Sequence, residues 1–140
     1  MIILDTNVLS TLMLRTPDRA VVAWLDGQPP ESIWTTSITL FEVAFGLALL
    51  PAGKRRKALE DAFAIAFAED LGERVLAFDE DAARHAAVLA ARARRAGQPV
   101  EIRDVQIAGI AHARRAALAT RNTRHFEGFG VRLIDPWKDG

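Results

Sequence analysis

The chain has 140 residues, no cysteine, and 18 basic against 18 acidic residues. This length predicts one domain, spanning residues 1–140, with its own hydrophobic core. The lack of cysteine excludes disulfides and thiolate metal sites, and the balanced charge argues against a strongly basic nucleic-acid-binding surface. No apolar run is long enough to span a bilayer and no signal peptide is visible, so the cytoplasm is the expected compartment.

Short apolar runs of strand type alternate with segments of helical periodicity. Strands are predicted over residues 2–4, 32–36, 75–78, 117–120 and 131–134. Helices are predicted over residues 17–26, 37–50, 54–71, 80–96 and 102–115. The first of these helices is expected to have Thr16 as its N-cap and Pro17 in its first position. The alternation predicts an α/β fold in which a mostly parallel sheet of about five strands is covered by helices on both faces.

The first candidate for chemistry is Asp5, which directly follows the apolar run Ile2-Ile3-Leu4. In open α/β sheets, ligands bind at the carboxyl ends of strands, and this carboxylate is expected there. A buried charge is costly unless it is paired or bound to a cation. The alternative is that Asp5 only caps a helix that begins near Thr6, because aspartate is a common N-cap.

Glu42 is the only charged residue of the predicted helix 37–50. A helix that is apolar almost all round is expected to be buried, and a carboxylate inside it needs a partner. Two alternatives stay open. Glu42 could belong to a narrow solvated stripe on a partly exposed helix, or it could be a capping-box acid near residues 36–39.

Asp104 stands near the start of the last predicted helix. Ile107, Ala108 and Ala111 follow it by three, four and seven positions, which places its carboxylate on the apolar, inward face. The side chain of Arg103 is expected to point elsewhere. The alternative is an acid of the first helical turn that only complements the helix dipole, an effect of about 0.3–1 kcal/mol.

Asn122 follows the predicted strand 117–120 and therefore lies at another strand's carboxyl end. A lone asparagine there is otherwise a turn residue. Arg121 and Arg124 flank it and are candidates for holding a phosphate backbone, or else are solvated surface charges. The histidines share no metal-ligand spacing, and His125 is expected at the surface.

The fold is expected to bring Asp5, Glu42, Asp104 and Asn122 together at one edge of the sheet. Three converging carboxylates would repel one another, and some would stay protonated, unless a cation neutralised them. Oxygen ligands without cysteine or a spaced histidine pair favour Mg²⁺ or Mn²⁺ over zinc. Such an ion polarises a phosphate and activates a water, so the predicted chemistry is metal-assisted attack of water on a phosphate.

These residues sit in motifs that, as an ordered set, resemble the PIN-domain ribonucleases, specifically the toxins of VapBC-type toxin–antitoxin pairs. Any one motif is weak, but the set runs almost from end to end of the chain. The matching segments are Leu4-Asp5-Thr6-Asn7, residues 37–46 with Glu42, Asp104-Val105-Gln106-Ile107-Ala108, Ala119-Thr120-Arg121-Asn122-Thr123 and Leu133-Ile134-Asp135-Pro136-Trp137.

The resemblance implies a three-layer α/β/α domain and endonucleolytic cleavage of RNA that depends on Mg²⁺ or Mn²⁺. It implies that Asp5, Glu42 and Asp104 form the acidic metal site. Asn122 matches a fourth position that is often aspartate, and its neutral amide favours one tightly held ion over two. The resemblance also implies a homodimer and a small antitoxin that covers the acidic pocket and carries its own DNA-binding region. Gly109, where the family often has alanine, is expected to weaken its helix only slightly.

Two other interpretations of the acids remain. In a non-catalytic PIN-like binding module, the acids would only accept a partner's arginine, and no metal-dependent cleavage would occur. In an aspartyl-phosphate phosphatase, Asp5 would be the nucleophile, but that class needs a second acid two residues later, where this chain has Asn7. Trp24, Trp34 and Phe41 are expected in the core or a dimer interface.

Overall fold

The centre of the molecule is a sheet of five parallel strands, seen in a computed structural model that describes residues 1–139. Its order is β3-β2-β1-β4-β5, and every pairing is parallel. The strands are β1 (Ile2–Leu4), β2 (Ile33–Thr36), β3 (Val75–Leu76), β4 (Ala117–Ala119) and β5 (Leu133–Ile134). The predicted α/β class with a parallel five-stranded sheet is confirmed.

Six α-helices connect these strands within residues 1–139. Because the strands are parallel, their carboxyl ends meet at one edge of the sheet, and α1 and α3 begin at that edge. No helix of the described chain is both long and apolar enough to cross a membrane. The helices are α1 (Thr6–Leu12), α2 (Arg19–Asp26), α3 (Ser37–Leu49), α4 (Lys54–Ile65), α5 (Glu80–Arg95) and α6 (Ile102–Arg114).

Helices cover both faces of the sheet, and each face has its own apolar core. Successive strand residues point to opposite faces, which β1 shows directly. Ile3 lies in a core with residues of α5 and α6, whereas Leu4 lies in a second core with residues of α1, α2 and α3. Both side chains are fully buried. The protein is therefore a three-layer α/β/α structure.

The N-cap of α2 differs from the sequence prediction. The cap is Asp18, whose carboxylate accepts a hydrogen bond of 2.9 Å from the backbone N–H of Ala20, so Thr16 and Pro17 lie before the helix. A carboxylate is a stronger acceptor than a hydroxyl, which favours the start at Arg19. The helix predicted over 54–71 is an α-helix only as far as Ile65. The chain then forms a wider π-helical turn, Ala66–Asp70.

The surface of α3 contradicts the prediction of an all-round buried helix. Only Thr39 and Val43 are buried, while Phe41, Phe45 and Leu49 are 56%, 49% and 70% exposed. These three residues are four positions apart and so share one face of the helix; we call them the α3 apolar stripe. An apolar face that meets a partner has the same sequence pattern as one that meets the protein's own core.

Gly109 allows α5 and α6 to pack very closely. A Cβ built at this position would lie 2.5 Å from the carbonyl oxygen of Ala82 and 2.7 Å from the Cβ of Ala86. Both distances are too short for real atoms, so the neighbouring helix would have to move. The prediction that glycine is merely a slight weakness here is therefore wrong, because its missing side chain is a packing requirement.

Substitution of Gly109 by alanine should accordingly destabilise the fold. We expect Gly109→Ala to lower the free energy of unfolding by roughly 1–3 kcal/mol, the usual cost of overpacking, although alanine is the better helix former. Denaturant titration measures this change. Gly46→Ala on α3 is the matched control, because a Cβ there meets nothing within 4 Å. That control should be neutral or slightly stabilising, and equal behaviour of the two variants would contradict the packing argument.

Candidate active site

Asp5 is the buried centre of the site, at the carboxyl end of β1. It is 6% exposed. Its Oδ1 accepts a 2.8 Å hydrogen bond from the backbone N–H of Thr6, and its Oδ2 accepts bonds from the Thr120 hydroxyl (2.8 Å) and the Asn7 amide (3.2 Å). Asp5 is also the N-cap of α1. The structure therefore confirms the N-cap, and the same carboxylate is close enough to Glu42 and Asp104 to repel both.

A network of side chains that the sequence analysis did not single out holds Asp5 in place. The hydroxyl oxygen of Thr120 also accepts the backbone N–H of Asn122 at 3.0 Å and the Asn7 amide at 3.3 Å. The amide oxygen of Asn7 accepts the backbone N–H of Arg121 at 3.0 Å. The end of β1 is thus tied to the loop that follows β4. The sequence does carry a signal for this network, because polar residues directly follow both β1 and β4.

Glu42 reaches the same pocket from the second turn of α3. Its Oε1 accepts a 3.1 Å hydrogen bond from the Thr6 hydroxyl, and its Oε2 lies 3.9 Å from Nη1 of Arg103. The side chain of Glu42 is 22% exposed. Arg103 also lies 3.7 Å from Glu101, so the prediction that it points elsewhere is wrong. Its guanidinium group lies near two carboxylates, those of Glu42 and Glu101.

Asp104 approaches from the first turn of α6, and its side chain is 20% exposed. Its backbone N–H donates to the N-cap carboxylate of Glu101 at 2.9 Å. Its Oδ2 lies 3.3 Å from Nδ1 of His125, a ring that is 60% exposed. His125 is at the surface, as predicted, but it also faces a site carboxylate. Because α6 begins directly after Glu101, Asp104 lies in its first turn, close enough to Asp5 for the two carboxylates to repel each other.

The other predicted residues surround this pocket at the surface. Asn122 is exposed, and its backbone N–H is held by Thr120. The guanidinium of Arg121 lies 4.8 Å from the centre of the Trp137 ring, which is a cation–π contact. Arg124 lines a cleft next to Asp104. The loop after β4 thus carries an amide and two cations next to the three acids.

The three carboxyl groups influence one another electrostatically. Burial is the main cause that raises the pKa of Asp5, and the hydrogen bonds from Thr120, Thr6 and Asn7 partly offset it. Burial, followed by repulsion from Asp5 and Asp104, raises the pKa of Glu42 against the opposing effects of Thr6 and Arg103.

Burial likewise raises the pKa of Asp104, together with repulsion from Glu101 and Asp5, while His125 lowers it. Asp5 therefore repels both of the other acids. In the absence of a cation, negative charge in this pocket is unfavourable.

The donor set fits a hydrated, hard divalent cation. All three groups offer carboxylate oxygens, and each has a raised pKa that a nearby positive charge would lower. Within residues 1–139 no three His, Asp or Glu side chains are grouped closely enough to hold a metal ion by themselves. Magnesium does not need such a group, because it keeps several waters and is usually bound by one or two carboxylates together with substrate phosphates.

The raised pKa of Asp5 predicts how stability depends on pH. A carboxyl group whose folded pKa is raised favours folding below its unfolded value, here 3.8, and this contribution is lost as the pH rises through the folded pKa. In chelator, Asp5→Asn should therefore stabilise the protein more at pH 7 than at pH 4. Thermal unfolding of both proteins at the two pH values measures the difference. A stabilisation that is independent of pH would contradict the burial of a charged Asp5.

Size alone does not identify this site. A cleft of about 860 Å³ lies around Trp24, Arg115 and Arg132, near the amino ends of β1 and β4. It is larger than the cleft of about 450 Å³ beside Asp104. The larger cleft contains none of the predicted site residues, so the chemistry of the side chains is the better guide.

Fold and site together define a small α/β protein with an acidic pocket at the carboxyl edge of its sheet, and comparison with known proteins places it more closely. The family model "PIN domain" matches residues 2–130. The VapC ribonuclease Y4jK of Sinorhizobium fredii is 44% identical over 138 residues, which cover 99% of both chains. The toxin FitB of Neisseria gonorrhoeae is 34% identical over 99% of this chain and 100% of its own.

Solved structures agree with these sequence matches. The crystal structure of FitAcB from N. gonorrhoeae matches with a TM-score of 0.88 over 99% of each chain, at 34% identity. DNA-bound VapBC from Salmonella typhimurium matches with a TM-score of 0.79, at 30% identity, over 96% of this chain and 97% of that one. The chain belongs to the PIN-domain family, among its VapC-type toxins.

Proposed function

We propose that this protein is a metal-dependent endoribonuclease that acts as the toxin of a toxin–antitoxin pair. Its near full-length similarity to a VapC ribonuclease and to a toxin supports the activity and the role. The observation that carries the proposal is the meeting of Asp5, Glu42 and Asp104 at one edge of the sheet, where burial raises the pKa of each acid and repulsion from Asp5 adds to the shift of the other two. The substrate is RNA, and the reaction is hydrolysis of a phosphodiester bond.

We assign the cation, Mg²⁺ or alternatively Mn²⁺, to Asp5 and Asp104, with Glu42 binding it directly or through a water. When bound, it supplies Lewis-acid polarisation of the phosphate and lowers the pKa of a water. Thr6 orients Glu42 through a hydroxyl hydrogen bond. Thr120 holds Asp5 with a second hydroxyl, so these acids face the substrate in fixed orientations.

The loop after β4 provides the contacts to the RNA backbone. Asn122 exposes an amide that can donate a hydrogen bond to a phosphate oxygen or a water. Arg121 and Arg124 are the phosphate-binding cations, and the contact of Arg121 with Trp137 restricts the side chain before RNA arrives. Less conformational entropy is then lost on binding.

A direct assay tests the proposed activity. Purified protein should cleave RNA in the presence of Mg²⁺ or Mn²⁺, and an excess of chelator should stop the cleavage. Cleavage at the same rate in chelator would contradict a metal-dependent mechanism. Binding of a partner protein without any cleavage, in either metal, would favour the non-catalytic binding module instead.

We propose a small antitoxin as the protein partner, with any DNA bound only through that antitoxin. The solved relative described as DNA-bound VapBC supports a two-component complex that contacts DNA. We also propose that residues 1–140 form a single PIN domain, because both apolar cores share one sheet. The cytoplasm, where RNA is translated, is the proposed compartment.

The α3 apolar stripe supports the proposed homodimer. The ring centroids of Phe41 and Phe45 lie 5.7 Å apart with the planes tilted by 33°, and both side chains are about half exposed. Large exposed apolar patches mark interaction surfaces. We expect Phe45→Glu to convert a dimer into a monomer, because a charge would be buried in the interface without a partner. Sedimentation velocity measures this change. Ile65→Glu on α4, where Ile65 is 57% exposed against 49% for Phe45, should remain dimeric. A dimeric Phe45→Glu variant would contradict the assignment.

A further inference from the structure

A second cleft adjoins the acidic pocket and is not explained by phosphate hydrolysis. It lies between the turn that precedes α6 and the loop that follows β4, and its volume is about 450 Å³. Sites for small ligands usually occupy roughly 300–1,000 Å³. Asp104 and His125, which contact each other at 3.3 Å, line this cleft, and Asp104 is also one of the three acids of the site. We call it the side cleft.

The side cleft combines apolar surface with hydrogen-bond acceptors. Pro99 and Phe129 supply the apolar part, and Phe129 is held edge-to-face against the buried Phe126 at 6.4 Å. Glu127 adds a carboxylate to that of Asp104, and Glu101, which also caps α6 and pairs with Arg103, adds another. Acids outnumber the single arginine, Arg124, so the cleft disfavours a second phosphate. It instead suits a flat ring whose edge carries N–H donors.

We propose that the side cleft binds one nucleobase of the RNA next to the cleaved phosphate, and that it prefers adenine, cytosine or guanine to uracil. This inference rests on the proposed ribonuclease activity. Adenine, cytosine and guanine carry an exocyclic amino group that donates to carboxylates, whereas uracil has no amino group and its single edge N–H lies between two carbonyl acceptors that a carboxylate repels. Single-stranded RNA is typically recognised through bases that are splayed out, stacked and hydrogen-bonded at their edges.

The position of the cleft favours an RNA base over a protein segment. Asp104 belongs to both sites, so RNA whose phosphate lies at the acids has its neighbouring base beside the cleft. Arg124 lines the cleft as well and is a candidate for the backbone between them. Binding of the base is then intramolecular once the phosphate is held, which raises its effective concentration.

Gly128 offers a way to fill the side cleft without changing any acid. A Cβ at Gly128 would lie 3.5 Å from Oε1 of Gln98, an ordinary contact. A larger side chain would extend into the space between the two turns. Gly128→Ala should therefore be tolerated, whereas Gly128→Leu should block the cleft. Gln98→Ala should remove a polar side chain from the wall of the cleft. Ala87→Leu, at an exposed position of α5, is the control for an added leucine.

Cleavage of an RNA library with randomised positions around the cut gives the readout, with circular dichroism to verify folding. The protein should disfavour uracil at one position next to the cut. Gly128→Leu should reduce cleavage of the preferred RNAs at least tenfold and flatten this preference, and Gln98→Ala should weaken it. Gly128→Ala and Ala87→Leu should keep the profile of the unmodified protein.

The outcomes separate this inference from the proposed function. If the protein cleaves RNA without a base preference next to the cut, or if folded Gly128→Leu and Gln98→Ala keep that preference, the inference is overturned and the ribonuclease stands. If Gly128→Leu loses only the binding of an arginine-containing peptide, the cleft belongs to a protein partner and the inference is again overturned. Absence of any RNA cleavage by the unmodified protein would overturn the ribonuclease assignment itself.

Discussion

Replacement of Asp5 by asparagine should reduce metal-dependent RNA cleavage by roughly 100- to 1,000-fold, a loss of about 3–4 kcal/mol of transition-state stabilisation. Asp5 is the most buried of the three acids, and its charge repels the carboxylates of both Glu42 and Asp104. Asparagine keeps the shape and one acceptor oxygen but removes the charge that attracts the cation. The metal affinity and the rate should fall together.

The same substitution should leave the fold intact. Burial raises the pKa of Asp5, so the unmodified protein bears an unfavourable charge there in the absence of metal, and its removal should not lower the unfolding temperature at pH 7. Asp18→Asn is the matched control, because Asp18 is also an N-cap, is exposed and lies outside the pocket. Its cleavage rate should be unchanged. An active Asp5→Asn protein would remove Asp5 from the metal site.

Removal of the Thr120 hydroxyl should have the second-largest effect. Thr120 is fully buried; it donates to Asp5 and accepts the backbone N–H of Asn122. Thr120→Val keeps the volume but leaves these groups without their partner. The expected cost is roughly 1–3 kcal/mol of stability. Activity should fall about 10- to 100-fold, as for other groups that orient metal ligands.

Thr35 provides an unusually close control for this experiment. It is also a fully buried threonine, and it lies on β2. Among the buried side-chain polar atoms of residues 1–139, its hydroxyl alone has no hydrogen-bond partner. Thr35→Val should therefore be neutral or stabilising, since no bond is lost and a buried polar group is removed. Denaturant titrations and cleavage rates of both variants give the comparison. Equal effects would mean that volume, rather than the Thr120 network, determines the response.

The sequence predicts the sheet, and the placement of Asp5 and Asp104 relative to it, because each depends on local patterns. Apolar runs of two to four residues mark the strands, and Asp5 stands directly after one of them. Asp104 is recognised from helical spacing, since Ile107, Ala108 and Ala111 are all buried below it. For parallel strands, topology then brings the carboxyl ends together. No knowledge of long-range contacts is needed for these inferences.

Features that depend on tertiary contacts escaped the sequence analysis. The requirement for glycine at Gly109 arises from the approach of α5, which local helix propensity does not describe. Arg103 turns toward Glu42 and Glu101 because the fold places both within reach. The role of Thr120 comes from bonds to a residue 115 positions earlier in the chain. Hydrophobic pattern likewise could not distinguish the exposed α3 stripe from core.

The most direct test of the account is the location of a divalent ion in crystals grown with manganese. The anomalous signal of Mn²⁺ should give one dominant peak in the pocket bounded by Asp5, Glu42 and Asp104, and the peak should disappear in Asp5→Asn crystals grown in the same way. A pocket without a peak at saturating manganese, or a peak only elsewhere on the surface, would contradict the proposal that these acids form the metal site of a ribonuclease.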